Sequence, residues 1–424
     1  MKIHMIGVGG IGMSALAQLY LLNGDSVSGS DREASPTTEL LEKKGLHVHI
    51  GHSASNIPEG AELAVYSDAV WADTPERMRA SELGIRQVSY FEALGEATRG
   101  RTTLAVTGTH GKTTTTAMLA HILRETGKKP TAIVGSIVQD FGSNFLSGDP
   151  NLFVVEGCEY KDHVLKLSPK VLVLTNAEWD HTDWFPTFAS MQEMFRKAVM
   201  KIPADGAVVT NPNDKNISSI IAGALCRVAD YTKEFVPELL LEGEFNRMNA
   251  RAAKVAAKAY APELQDADID AALRTFKGTW RRFEYKGITE SGARIYDDYA
   301  HHPTAIRETL SALRAKHPDK KITLVFHPHL YTRTRDLFGE FAEELAKADR
   351  VILVPIYPAR EEPIPGITSD SLAEEIAKKN GNVLSLHSFD EIEADLRKSS
   401  SAKDVVMTIG AGDIYKVANN LVKN

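Results

Sequence analysis

Twice in this chain a short apolar run passes straight into a glycine-rich turn and then into a helical pattern. Met1–Gly7 leads into Gly7-Val8-Gly9-Gly10-Ile11-Gly12, and Leu104–Thr107 leads into Gly108-Thr109-His110-Gly111-Lys112-Thr113. A strand that turns so tightly into a helix sets unpaired N–H groups of the helix start at the carboxyl end of a sheet. The fold class that accommodates this twice is α/β, since parallel strands need helical crossovers. Each junction is also a candidate anion site.

The remainder of the sequence keeps the alternation. A short strand is predicted at Ser26–Ser30, others near Phe153–Glu156 and Val171–Thr175, and helical segments over 187–200 and 247–260. From Trp280-Arg281-Arg282-Phe283 onward the pattern reads helix 304–316, strand 322–326, helix 335–347, strand 350–354, helix 370–379 and strand 404–409. Three units are expected: 1–98, ending before the polar stretch Arg99-Gly100-Arg101-Thr102-Thr103, then 99–279 and 280–424.

Composition narrows the class of function. The net charge of -7 is spread along the chain with no long basic run, so no nucleic-acid partner is expected. Two cysteines, Cys158 and Cys226, cannot build a disulfide framework or a cysteine zinc site. The N-terminal apolar stretch carries ordered glycines that a signal peptide lacks, and no apolar run reaches the roughly 20 residues that span a bilayer. A soluble cytoplasmic protein without a membrane partner is expected.

Gly7-x-Gly9-x-x-Gly12 has the spacing of a dinucleotide fingerprint, and Asp31 ends the next strand 19 residues after Gly12. The glycines admit a pyrophosphate to backbone N–H groups, and Asp31 would accept a ribose hydroxyl; a tight turn without a ligand is the plainer reading. The second loop is not the standard phosphate loop, because Val106 stands where that pattern needs glycine. Its chemistry is nonetheless that of a triphosphate: amides cradle oxygens, Lys112 reaches the β and γ phosphates, and the Thr113 hydroxyl ligates Mg²⁺. A nicotinamide oxidoreductase leaves this second loop without a task. A simple NTPase leaves the first without one. An enzyme joining ATP to a second diphosphate substrate uses both. Glu156, and then Asn176, Glu178, Asp180 and His181, fall at successive strand ends, where metal and phosphate are met in such sheets, although each alone would serve as a helix cap or loop charge.

Several blocks together resemble the Mur ligase family, and within it the alanine-adding branch: Gly108-Thr-His-Gly-Lys-Thr-Thr-Thr115, Gly7-Val-Gly-Gly-Ile-Gly-Met-Ser14, Val27-Ser-Gly-Ser-Asp31, Asp297-Asp-Tyr-Ala-His-His-Pro303, His327-Pro-His-Leu-Tyr-Thr-Arg-Thr334 and Gly410-Ala-Gly-Asp413. The resemblance implies a UDP-binding Rossmann-like domain, a central ATPase domain and a C-terminal Rossmann-like domain. It implies ligation of L-alanine to the carboxylate of UDP-N-acetylmuramate through an acyl phosphate, with ATP and Mg²⁺, by a monomer or homodimer.

Carried over by position, Gly7, Gly9, Gly10, Ile11, Gly12 and Asp31 take the UDP-sugar. Gly108, Thr109, His110, Gly111, Lys112, Thr113 and Thr114 take ATP. Glu156 with Thr113 holds a first metal and His181 a second. Asn246, Arg282, Asp298 and Tyr299 contact the nucleotide with His301 beside them, and Arg333 holds the incoming carboxylate. Lys112, His181 and Arg333 are the catalytic expectations.

The chain also departs from the family. Phe245 stands where a histidine is usual, and Gly157-Cys158-Glu159-Tyr160 follows Glu156 in place of the commoner Ala-Asp-Glu-Ser, which leaves the role of Glu159 open. Leu330 stands where many members have arginine. Phe195 occupies the place of the carbamoylated lysine of later-acting siblings. A tripeptide-recycling ligase using the same sugar nucleotide is the alternative within the family. A nucleotide-dependent binding protein is the alternative outside catalysis.

Overall fold

The computed structural model describes residues 1–422. The described residues form three sheets. The first contains β1 (Lys2–Ile6), β2 (Ser26–Asp31), β3 (His47–Ile50), β4 (Leu63–Tyr66) and β5 (Arg86–Ser89) in the order β3-β2-β1-β4-β5, all parallel. The order reverses between β1 and β4, so the loops leaving those two strands flank the crevice where such sheets bind ligands. Gly7 sits there with φ +80°, and a β-carbon on it would come 3.0 Å from the Ser67 Cβ.

The second sheet contains β6 (Thr102–Thr107), β7 (Pro130–Val138), β8 (Ser143–Leu146), β9 (Asp149–Glu156), β10 (Val171–Leu174), β11 (Ala207–Thr210) and β12 (Arg227–Asp230). Its order is β12-β11-β10-β6-β9-β7-β8, parallel except for the hairpin partner β8. β6 lies between β10 and β9, which brings the loop after β6 beside the ends of both neighbours. Apolar residues run without alternation through Leu104–Val106, Phe153–Val155 and Val171–Leu174, all buried, as expected of strands covered on both faces.

These two sheets belong to one compact unit, Met1–Ala177 with Gln192–Glu238 and Asn249–Lys277. A buried polar network joins them. Asn144 on β8 donates to Ser14 Oγ at 2.8 Å and to the Ile11 carbonyl on the helix Ile11–Leu22. Gln18 of that helix donates to Asn144 Oδ1 at 3.0 Å and accepts from Ser143 at 3.1 Å. Such groups are retained in an interior because they satisfy one another.

The second unit comprises Glu178–Met191, Leu239–Met248 and the chain from Gly278 onward. Its sheet contains β13 (Glu284–Ile288), β14 (Arg294–Asp298), β15 (Lys321–Phe326), β16 (Arg350–Leu353), β17 (Val383–Ser385) and β18 (Asp404–Ile409), ordered β13-β14-β18-β15-β16-β17 with only β13 antiparallel. The two-residue period of the strands divides its core. Ile322, Leu324, Phe326, Val405, Met407 and Ile409 pack with Leu313, Phe341 and Leu345 on one face, whereas Val325 and Val406 pack with Ile392, Leu396 and Leu421 on the other.

The single helix expected over 335–347 is instead two, Tyr331–Asp336 and Phe338–Leu345. Leu337 leaves helical geometry at φ -112°, ψ 20°. The bend keeps Leu337, Phe341 and Leu345 all buried while the preceding turn carries Arg333 and Thr334 inward. The other elements named from the sequence are present with ends shifted by a few residues.

Candidate active site

The first glycine loop is braced by its neighbours. Gly7 and Val8 donate to the Ser30 carbonyl at 2.8 and 2.9 Å, and Gly9 donates to Asp31 Oδ2 at 2.8 Å. Asp31, expected to take a ribose, is therefore also the brace of its own loop. Gly10 precedes the helix Ile11–Leu22 with no side-chain cap, so the first helical N–H groups point outward unclaimed by a cap. Behind the loop, Glu76 is fully buried and accepts from His52 Nδ1 at 2.6 Å and from Asn56 at 2.8 Å, with His4 Nε2 at 3.7 Å. Burial alone would raise its pKa; the neighbouring His4, Ser30, Asn56 and His52 side chains outweigh that and hold it down to about 2.

The second loop is clamped from both sides. A β-carbon on Gly108 (φ +124°) would meet Thr175 Oγ at 2.3 Å, and one on Gly111 (φ +83°) would meet Asn249 Oδ1 at 2.3 Å. Neither position tolerates a side chain. His110 donates its N–H to Asn176 Oδ1 at 2.9 Å, while Thr175 and Asn176 donate back to the His110 carbonyl at 2.6 and 3.1 Å. Lys112, which opens the helix Lys112–Glu125, turns its Nζ onto the Gly108 and Thr109 carbonyls at 2.6 and 3.0 Å and onto Glu159 Oε1 at 2.9 Å. Burial works against the lysine charge, but Glu159, with Cys158 and Glu156, outweighs it and raises the Lys112 pKa. Glu159, whose role the sequence left open, is thus the buried counter-charge of the loop lysine.

Thr113 donates to Glu156 Oε1 at 3.1 Å, and Glu156 Oε2 accepts the Gly135 N–H of β7 at 2.9 Å. A hydroxyl and an oriented carboxylate oxygen side by side, at a helix start and a strand end, form a hard-oxygen donor pair that fits Mg²⁺. Thr114 is buried behind them.

In the second unit, Asp298 ends β14 and accepts N–H bonds from Phe283 at 2.6 Å and Ala300 at 2.7 Å. This expected nucleotide contact is therefore engaged in holding its own loop. Burial raises its pKa against the charge of Arg282. Arg282 lies 4.9 Å from the Tyr299 ring centroid, and His301 Nδ1 lies 2.9 Å from the Tyr299 carbonyl. Asn246 is buried and donates to the Glu242 carbonyl at 2.7 Å. The preceding arginine, Arg281, was not singled out from the sequence. It is buried with φ +58°, and its guanidinium bonds Asp297 at 2.8 Å and the carbonyls of Gly412 and Gly410 at 2.8 and 2.6 Å.

Arg333 Nε donates to Asp180 Oδ1 at 2.7 Å, with both side chains 3% exposed. Its Nη1 lies 3.2 Å from His329 Nδ1. Burial opposes the Asp180 charge, but Arg333, with His181 and nearby histidines, more than offsets it and lowers the pKa well below the carboxylate range. His329 stacks on Tyr357 at 5.5 Å, and burial followed by the Arg333 charge brings its pKa to about 3. His301 is lowered for the same two reasons. His181 follows Asp180 with φ +51° and donates its N–H to the same Oδ1 at 2.7 Å. Leu330, the departure beside Arg333, is 1% exposed with φ +71°, a region costly for a branched residue. The arrangement offers a buried guanidinium whose Nε is held by the Asp180 carboxylate and whose Nη1 lies beside His329, a fork oriented as recognition of a small carboxylate requires.

Comparison with known proteins identifies the family. The Mur ligase family catalytic domain matches residues 2–102, the Mur ligase middle domain 106–236 and the Mur ligase glutamate ligase domain 281–412. UDP-N-acetylmuramate–L-alanine ligase of Clostridium botulinum is 38% identical over 98% of this chain and 96% of its own, and that of Clostridium tetani is 37% identical over 100% and 98%. The crystal structure of UDP-N-acetylmuramate–alanine ligase from Thermotoga maritima superposes with a TM-score of 0.84 at 28% identity, covering 100% of this chain and 98% of that one. A murein peptide ligase from Psychrobacter arcticus has the same fold, with a TM-score of 0.75 at 23% identity over the whole of both chains. Spanning nearly the full length of relatives more than a third identical to it, with three matching domains in order, the chain belongs to the Mur ligase family.

Proposed function

We propose that this Mur ligase uses ATP to join L-alanine to the carboxylate of UDP-N-acetylmuramate, a step of peptidoglycan precursor synthesis. The observation that carries the reading is the presence in one compact unit of two clamped glycine loops, one uncapped at a helix start and the other holding Lys112 and the Thr113–Glu156 oxygen pair. The names of the relatives supply the substrates. The tripeptide-adding alternative is less supported, because the curated relatives at 37–38% identity are named for L-alanine.

In the proposed chemistry the muramoyl carboxylate attacks the γ-phosphorus of ATP, releasing ADP and forming an acyl phosphate. The amine of L-alanine adds to the acyl carbon, loses a proton, and the tetrahedral intermediate expels phosphate. Carboxylate oxygen is a poor leaving group and phosphate a good one, which is what ATP supplies. Gly7, Gly9, Gly10, Ile11, Gly12 and Asp31 would hold the UDP-sugar, and Gly108 through Thr114 the triphosphate. Lys112, moving from Glu159 and its loop carbonyls, would neutralise charge on the transferred phosphoryl group. Mg²⁺, for which Thr113 and Glu156 are fitted, would supply further charge neutralisation there, and His181 is proposed as a ligand of a second metal. Asn246, Arg282, Asp298, Tyr299 and His301 are proposed at the nucleotide. Arg333, fixed by Asp180, is proposed to hold the L-alanine carboxylate.

The three functional parts are taken as 1–98, 99–279 and 280–424. We take the protein to be a cytoplasmic monomer or homodimer; both cysteines, Cys158 and Cys226, are free thiols, as a reducing compartment keeps them. No described helix is long and apolar enough to cross a membrane. The direct test is phosphate release with ATP and UDP-N-acetylmuramate, comparing L-alanine, L-serine, glycine and a tripeptide. A preference for the tripeptide would replace the alanine reading, and no release with any of them would reject ligation of this sugar nucleotide.

A further inference from the structure

Tyr90 opens the helix Tyr90–Thr98 immediately after β5. A reciprocal cap fixes that first turn: Ser89 Oγ accepts the Glu92 N–H at 3.3 Å, and Glu92 accepts the Ser89 N–H at 3.0 Å. The Tyr90 ring lies directly on Gly12. A β-carbon at Gly12 would come 2.5 Å from Tyr90 Cζ and 2.7 Å from its hydroxyl oxygen. The third glycine of the fingerprint is therefore needed to admit a phenol against the first turn of the helix Ile11–Leu22, where the diphosphate would sit.

The same turn also meets the segment that follows β9, the strand ending on Glu156, because the adjacent Phe91 stacks on His163. Burial raises the phenol pKa, and smaller contributions in the same direction come from Glu156, which ends β9, and Cys158 just beyond it. Tyr90 packs edge-on against Phe91 at 4.6 Å; Phe91 stacks on His163 at 3.8 Å, and His163 pairs with Asp68 at 2.8 Å. The ring thus rests on a fixed platform. Its hydroxyl meets no protein partner among the described residues, and the residue is only partly buried.

A substrate with a diphosphate at one end and a carboxylate at the other must run from the Gly7–Gly12 turn toward Lys112 and Glu156, and Tyr90 stands beside that course. We propose that Tyr90 is a substrate-binding residue whose hydroxyl donates a hydrogen bond to an oxygen of the sugar nucleotide between its diphosphate and its carboxylate. This rests on the reading of the substrate as an acidic sugar nucleotide. Tyr90 positions the acceptor and takes no part in proton transfer.

The test is Tyr90→Phe, which keeps the ring and removes one oxygen. Steady-state kinetics with UDP-N-acetylmuramate, ATP and L-alanine, each varied in turn, should show the KM for the sugar nucleotide raised about 3- to 10-fold, as for loss of one neutral hydrogen bond. The ATP and L-alanine constants and the melting temperature should stay unchanged, a split that a purely structural role would not produce. An unchanged sugar-nucleotide KM, or an equal loss for all three substrates, overturns the proposal for Tyr90 while leaving the ligase reading intact. A wild-type enzyme that does not turn over UDP-N-acetylmuramate overturns that reading and the proposal with it.

Discussion

Replacing Lys112 by methionine separates two tasks that one side chain performs. In the structure its Nζ lies 2.9 Å from Glu159 and 2.6 and 3.0 Å from the carbonyls of Gly108 and Thr109. Methionine keeps the length of the stem and removes the cation, leaving Glu159, 1% exposed, buried without its lysine. Removing one partner of a buried pair costs roughly 3–5 kcal/mol. Because the Lys112 side chain is 16% exposed, the lower end applies. For a unit of this size about 3 kcal/mol corresponds to a fall in melting temperature of roughly 6–12 °C. Adding Glu159→Gln removes the stranded charge, so the double variant should regain much of the lost stability, and ligation should remain abolished because the phosphoryl cation is still missing. Thermal unfolding followed by circular dichroism without nucleotide, alongside ADP release, reads both effects. A Lys112→Met protein that melts with the wild type, or a double variant no more stable than the single one, would show that the 2.9 Å pair does not stabilise the loop.

The remaining expectations concern other parts of the site. Arg333→Ala should raise the KM for L-alanine about tenfold or more while those for ATP and the sugar nucleotide move little, and Arg333→Lys should rescue only partly because lysine lacks the planar fork; an unchanged alanine KM in steady-state kinetics reopens the tripeptide reading. His181→Ala should raise the Mg²⁺ concentration needed for half-maximal rate and lower turnover; an unaltered magnesium titration would make His181 a loop residue. Glu76 has its pKa depressed from 4.5 to about 2, so its contribution of roughly 3 kcal/mol is present above the unfolded value and lost as pH falls through the folded one. Denaturant midpoints between pH 5 and pH 2 should therefore fall more steeply in the wild type than in Glu76→Gln, and parallel slopes would remove Glu76 from the account.

Both glycine loops were legible in the sequence because their chemistry is local: Gly108, Gly111, Lys112 and Thr113 are close neighbours, and the turn they make requires them. What was not legible depends on distant partners. Asp180 and Arg333 are 153 positions apart, and neither residue alone announces an ion pair. Two consecutive arginines, Arg281 and Arg282, look alike on paper; the positive φ of Arg281 and the carboxylate of Asp297 decide that the first is buried. Lys254 reads as an ordinary surface lysine of a helix, yet it is 1% exposed and paired with Asp270 at 2.8 Å. The break at Leu337 was invisible because apolar spacing continues through it. The strands β7 and β8 carry no loop chemistry, and β7 shows its importance only through Gly135, whose N–H orients Glu156.

The Asn144–Gln18 network bears on how such enzymes can be recombined. Ser14 and Gln18 come from the helix behind the first glycine loop, Ser143 and Asn144 from the hairpin of the second sheet, and each completes the other's hydrogen bonding inside a sealed interior. A chimaera that imported a foreign sugar-nucleotide domain with its fingerprint intact but a leucine at position 18 would leave the Asn144 side-chain carbonyl with only the long 3.5 Å bond from Ser143, away from water, at a cost of about 1–3 kcal/mol. The graft would be penalised before any substrate was offered. The heritable module in this chain is therefore the pair of sheets, and a donor domain must bring the helix residues that the recipient hairpin is built to receive.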